Sequence, residues 1–261
     1  MARRTTLVAA AAAASLSLLV ACGGGSSGSG SGPVLPGPAP TATASPTPPG
    51  SSTQTIDTYA GASFGQTGDF TPTEGDTASG GQGQPVDGVT CDTTMSNNYH
   101  VHVYLGLFVN GAQVALPMGL GMENPGPPGS GYPSYPGFVD AATCFYHIHT
   151  HDQSGIVHIE DPDPSGVPMT GTLYTMKTFF DEWGITVNSN QFGPFTGPVR
   201  VFTSGQVSRG GSGSTTVPAT DLTYWGSDAT TVPAYSHEVI FVEVGPTWPT
   251  TLPNVDFYLE Y

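Results

Sequence analysis

The chain has 261 residues, of which 36 are glycine, 25 are proline and 37% are hydrophobic, a balance that describes a globular domain joined to something less ordered. Five basic residues face 20 acidic ones, a formal net charge of −15. Such a field argues against nucleic acid and anionic surfaces as partners and favours cations as ligands.

The first 22 residues carry positive charge at Arg3 and Arg4, an apolar run from Leu7 to Leu19, and then Leu19-Val20-Ala21-Cys22. This is the pattern of a bacterial lipoprotein signal whose Cys22 accepts lipid. The apolar run, alanine-rich and about 15 residues long, is short of the roughly 20 that a spanning helix needs. The expectation is an exported protein, lipid-anchored at the cell envelope on the outer leaflet or facing the periplasm, that meets the membrane through its anchor only. Cleavage before Cys22 would leave Lys177, Arg200 and Arg209 as the basic residues against 20 acidic ones. Residues 23–54 are nearly all Gly, Ser, Pro, Ala and Thr, too poor in apolar surface to offset the entropy of ordering, and read as a disordered tether. A histidine-rich domain then occupies 55–261.

With Cys22 lipidated, Cys91 and Cys144 remain as an even pair in an oxidising compartment. A disulfide between them would close a loop of about 54 residues and contribute roughly 4 kcal/mol. The alternative is a pair of thiolate ligands, since Cys144 lies three residues before His147.

Within the domain, short β-rich runs separated by Gly, Pro and Asn predict one mainly β fold, an antiparallel sandwich or barrel-like domain with one short helix. Strands are expected at 99–109, 112–118, 144–151, 156–160, 198–204, 235–244 and 254–260. The helix follows from Thr175 as N-cap, Gly184 just past the end, and Met176, Phe179, Phe180 and Trp183 on one apolar face. Residues 119–143 form a long Gly/Pro loop, of the kind that serves as a functional segment or lid.

Asn110-Gly111 signals a two-residue type I′ turn. That register sets Leu107 opposite Val114, Leu105 opposite Leu116 and Val103 opposite Met118. Val101 joins them on a core face, while His100, His102, Tyr104 and Phe108 take the other. The second hairpin lies in "CFYHIHTHDQSGIVHIE", Cys144 to Glu160. A four-residue turn at Asp152-Gln153-Ser154-Gly155 sets His151 opposite Ile156, His149 opposite His158 and His147 opposite Glu160. Four imidazoles and a carboxylate then share one face, directly opposed Cβ atoms being about 5 Å apart. A three-residue loop would instead send His158 to the opposite face.

Two histidines at i and i+2 on a strand bind one ion, and a third from a neighbouring strand completes a facial set. Imidazoles packed together repel when protonated, whereas Zn²⁺ or Cu²⁺ binds their neutral form. His147, His149, His151 and His158 are therefore the expected ligands of a copper or zinc ion, with His100 and His102 lining the same or an adjacent site. His237 opens another strand and offers a further ligand. Asp152, Glu160 and Glu238 each neighbour a histidine, as carboxylates that orient imidazoles do, and Glu160 also suits direct ligation or general-base work. Met95, Met118 and Met122 could add a soft thioether that favours copper, although Met118 falls on the core face.

The run His149-Thr150-His151-Asp152, then Ser154-Gly155-Ile156-Val157-His158-Ile159-Glu160, resembles an uncharacterised group of secreted or lipid-anchored prokaryotic domains with the motif HTHDxSG(I/V)(I/V)HIE. The resemblance extends over roughly residues 87–245. It takes in Cys91, His100, His102, Asn110 and Gly111, the Cys144 segment, the Phe179–Gly184 helix end and His237-Glu238; it brings no activity with it. Paired-cysteine zinc motifs, His-Glu-x-x-His and a phosphate loop are all absent. The expected function is an extracytoplasmic transition-metal-binding protein. Its alternatives are a metal-dependent hydrolase, lyase or oxidoreductase, and a cell-surface interaction module with structural histidines. A closed shell of four protein ligands would favour the binder; an open position facing a pocket would favour the enzyme.

Overall fold

The computed structural model describes residues 45–66, 70–96, 98–131, 134–163, 174–207 and 215–257. Residues 1–44, which carry the expected signal segment, Cys22 and most of the expected tether, lie outside the described residues, as do Arg209 and residues 258–261. In chain order the elements are β1 (Gly50–Asp57), β2 (Tyr99–Val109), β3 (Ala112–Val114), β4 (Met122–Glu123), β5 (Cys144–Phe145), β6 (Ile148–His149) and β7 (Ile156–Asp161). Then follow α1 (Met176–Trp183), β8 (Val187–Asn188), β9 (Gln191–Phe192), β10 (Phe195–Thr196), β11 (Val199–Thr203), β12 (Thr215–Val217), β13 (Thr223–Gly226), β14 (Val239–Val244) and β15 (Thr251–Phe257). Among the described residues the fold is thus mainly β with one short α-helix, and no helix is long and apolar enough to cross a membrane.

The main sheet runs β13-β11-β14-β2-β7-β6, with β3 also on β2, and a separate three-stranded sheet runs β1-β15-β12. Neither closes into a barrel. Strand β2 explains how the layers stack, because its alternating side chains serve two cores. Val103, Leu105 and Leu107 join Val157, Ile159, Ile240 and Val242 beneath α1. Tyr104 and Phe108 point the other way and pack with Phe241, Ile156 and the apolar side chains Ile56, Leu252, Val255 and Phe257 of the second sheet. His100 and His102 sit on that second face nearer the start of the strand, where the hydrocarbon ends.

The expected turn is present: Asn110 and Gly111 have φ of 51° and 84°, as type I′ requires. Val109 meets Ala112 and Leu107 meets Val114. The hairpin stops there, correcting the expected pairing of Leu105 with Leu116 and of Val103 with Met118. Strand β7 claims the rest of that edge, pairing Tyr104 with Ile156 and continuing to Tyr99 with Asp161, while the Leu105 N–H donates to the Gly155 carbonyl. Among the described strands two pairings are parallel, β2 with β14 and β1 with β15, where antiparallel neighbours were expected. β1 also takes in residues 50–54, which composition assigns to the tether, by pairing with β15.

Helix α1 forms as its pattern implies. Gly184 adopts φ of 78° and its N–H donates to the Phe180 carbonyl, and Trp183 and Phe180 pack on Phe70 and Phe192 at ring separations of 4.9 and 5.3 Å. Glu182 breaks the apolar pattern: it is fully buried, with no partner for either carboxylate oxygen among the described residues. Burial, with Asp76 and Asp87 adding repulsion, holds its pKa well above the ordinary 4.5. The folded chain therefore binds this proton more tightly than the unfolded chain does. Stability from this group is complete below about pH 4.5 and is lost as pH rises through the folded value. We expect Glu182→Gln to stabilise the protein at pH 7 by about 1–3 kcal/mol, with the gain vanishing near pH 4. Urea melts at the two pH values check this, and an equal effect at both would contradict it.

Candidate metal centre

Three adjacent strands carry the site. On β2 and β7, His102 pairs with His158 and His100 with Glu160, and on β6 and β7 His149 pairs with His158. His102, His158 and His149 thus form a row across the sheet, with His100 and Glu160 in the next row. The reversal between β6 and β7 holds this register. Asp152 accepts from the Ser154 N–H at 2.9 Å and the Gly61 N–H at 2.6 Å, and the Ser154 hydroxyl accepts from the Ile156 N–H at 3.2 Å. Asp152 therefore builds the turn rather than orienting an imidazole, and His151 follows β6 without pairing to Ile156, which pairs with Tyr104 instead.

Two groups of donor atoms emerge, and each could hold a metal ion. In the first, His102 Nε2 lies 3.0 Å from His100 Nε2 and 3.1 Å from His158 Nδ1, and the third side measures 3.2 Å. Each ring nitrogen is either a donor or an acceptor, so at least one side of such a triangle joins two of a kind. An ion at about 2.0–2.1 Å from each nitrogen would subtend angles of about 100° between them, intermediate between octahedral and tetrahedral values.

The second group is His149, His151 and Glu160. His149 Nδ1 donates to the Tyr146 carbonyl at 2.8 Å, and His151 Nδ1 donates to the Val139 carbonyl at 2.6 Å. A carbonyl only accepts, so each Nδ1 carries the hydrogen and each Nε2 is left with its lone pair. Those two Nε2 atoms face one another at 3.1 Å. Phe138 stacks on the His151 ring at 4.4 Å and 8°, which further fixes its orientation. Burial, with smaller repulsions from neighbouring imidazoles, lowers the pKa of His149 from 6.5 to about 4 and those of His151 and His158 well below 6.5.

Glu160 lies between the groups. Its Oε1 is 3.3 Å from His100 Nε2, 3.8 Å from His158 Nδ1 and 3.9 Å from His149 Nε2, while Oε2 is buried without a partner among the described residues. Burial, then Asp140, raises its pKa to about 7, and a bound cation would hold the carboxylate ionised.

Other expected residues lie elsewhere. His147 departs from the anticipated set, because the backbone bends there before β6 begins. Its Nδ1 lies 2.8 Å from the Tyr174 hydroxyl and its Nε2 3.1 Å from Asp92 Oδ2, and the Tyr174 hydroxyl donates to Asp161. Both of its nitrogens are engaged away from the two groups. For His237 it is the backbone that meets the site, its N–H donating to the His102 carbonyl at 2.7 Å, while its ring lies against Phe257 at 5.1 Å. Glu238 accepts from the Thr203 hydroxyl and the Tyr235 N–H. Cys91 and Cys144 form a disulfide with Cα atoms 5.4 Å apart, which replaces the thiolate alternative and ties down the start of the histidine segment. Met122 packs with Val139 and Phe145, joined by Met95 and Met118.

A cavity of about 920 Å³ opens over the cluster, with His100, His102, His151, His158 and Glu160 in its wall. Phe138, Phe145, Ile156 and Phe257 make much of the remainder apolar. The 119–143 loop supports the histidine segment rather than only covering it. Gly119 donates to the Thr150 carbonyl, Thr150 to Leu120, Tyr146 to Gly121 and Val139 to His151. Gly121, at φ of 71°, comes so close that a Cβ there would lie 2.1 Å from the Ile148 carbonyl oxygen. Residue chemistry could not have pointed to the Val139 and Tyr146 carbonyls, since every residue has one.

No family model matches the chain, and no curated protein or solved structure matches it.

The lowered histidine values predict acid lability. These rings are neutral when folded and protonate first in the unfolded chain, so their contribution is present above about pH 6.5 and is lost as pH falls toward about 4. Thermal melts of metal-free protein should therefore decline over that window. His149→Gln should flatten the decline, and an unchanged slope in that variant would contradict the assignment.

Proposed function

We propose that this protein is an exported, lipid-anchored protein that binds a transition metal, copper or zinc, through His149, His151 and Glu160 and through His100, His102 and His158. One observation carries the reading: two buried imidazoles, each with its hydrogen committed to a carbonyl, bring their lone pairs within 3.1 Å of each other. Without a cation between them the contact is repulsive; with one, it is a pair of oriented ligands. Imidazole with a single carboxylate suits zinc and copper better than magnesium or calcium, which prefer all-oxygen shells. The lipobox ending at Cys22 supports the anchor, and the acidic charge supports a cation rather than a nucleic acid as partner.

A metal-dependent enzyme is the second reading, favoured by the cavity. Neither group is a closed shell of four protein ligands, and both contribute residues to the cavity wall, the arrangement in which a catalytic ion keeps a position for water or substrate. Glu160 would then move protons at the ion. An interaction module with dispersed structural histidines accounts poorly for five of seven histidines converging.

Metal analysis of the purified protein, after loading with zinc or copper and dialysis, tests the binding reading. The His149→Ala, His151→Ala double variant should lose the metal held by the His149, His151 and Glu160 group and fall below the wild-type content, while His147→Asn should keep it. Unchanged content in the double variant would overturn the assignment.

A further inference from the structure

We infer that the cluster holds two metal ions at once, with Glu160 shared between them. The inference rests on the metal-binding reading and extends it from one ion to a dinuclear centre. The ring planes argue for two positions. His149 and His158 are cross-strand neighbours whose rings stand stacked, 4° from parallel, with centroids 5.7 Å apart. An imidazole nitrogen donates its lone pair within its own ring plane, so rings standing side by side in parallel planes address two different points. His158 belongs to the triangle with His100 and His102, and His149 belongs with His151.

The distances then place the carboxylate. Around an ion with bonds of about 2.0–2.2 Å, neighbouring ligands are separated by about 3.0–3.5 Å. Glu160 Oε1 is 3.3 Å from His100 Nε2 in the first group and 3.9 Å from His149 Nε2 in the second, so one oxygen borders both. Oε2 is buried and has no hydrogen-bond partner among the described residues. Sharing also serves the electrostatics. A single buried carboxylate placed between two cations lowers the repulsion of both, and Asp140, whose Oδ1 lies 3.8 Å from His151 Nδ1, adds a further negative charge nearby.

Copper(II) distinguishes the possibilities, because bridged ions couple magnetically and separate ions do not. The full chain, loaded with copper and freed of excess, should contain two copper ions, with an integrated electron paramagnetic resonance intensity at least twofold below that of two independent spins. Glu160→Gln, with its fold checked by circular dichroism, should lose one ion or the coupling, giving one full spin per remaining copper. His102→Ala should reduce the content to one ion, held by the second group. One copper per wild-type chain, or two with full independent intensity, would overturn the shared centre while leaving metal binding intact. No copper or zinc at all would overturn both.

Discussion

The arrangement depends on one unfavourable contact, the 3.1 Å approach of His149 Nε2 to His151 Nε2. Two neutral imidazoles can relieve such a contact if one turns to present an N–H. Here neither is free to do so, because the Tyr146 and Val139 carbonyls hold the other nitrogens as donors and Phe138 lies flat on one ring. Protonation is a poor escape as well, since burial disfavours the charged form. The fold therefore maintains a lone-pair focus for which a cation is the natural counterpart.

The rest of the molecule makes that focus rigid. β2 is buried on both faces, with α1 and its cluster beneath and the β1-β15-β12 sheet above. Where the second sheet's cover ends, the same face changes from hydrocarbon to imidazole, and the cavity opens there, beside Thr58 and Phe257 at the ends of β1 and β15. The Cys91–Cys144 disulfide and the bonds from residues 119–121 hold the histidine segment along its other edge. A two-residue strand would define ligand positions poorly; bonded on both sides, β6 does so well.

Much of this was legible in the residues. The alternation in 99–109 located β2, Asn110-Gly111 set its turn, and Thr175 to Gly184 bounded the helix, because each signal is local. The reversal at 152–155 set His149 beside His158 for the same reason. What was not legible depended on competition between distant segments. β7 displaced residues 115–118 from the β2 edge, a choice invisible in the Asn-Gly register. A backbone bend at 147 turned His147 toward Tyr174 and Asp92, although strict alternation placed it with the others. Asp152 looked like an imidazole partner by proximity, yet its oxygens were taken by the N–H groups of the turn and of Gly61.

The most direct test of the central claim is a long-range proton–nitrogen correlation spectrum of the metal-free protein at neutral pH, with the His149 and His151 rings assigned by substitution. The account predicts that both rings carry hydrogen on Nδ1 alone, and that both Nε2 signals move together when zinc is added. A hydrogen on Nε2 of either ring, or Nε2 signals indifferent to zinc, would contradict it.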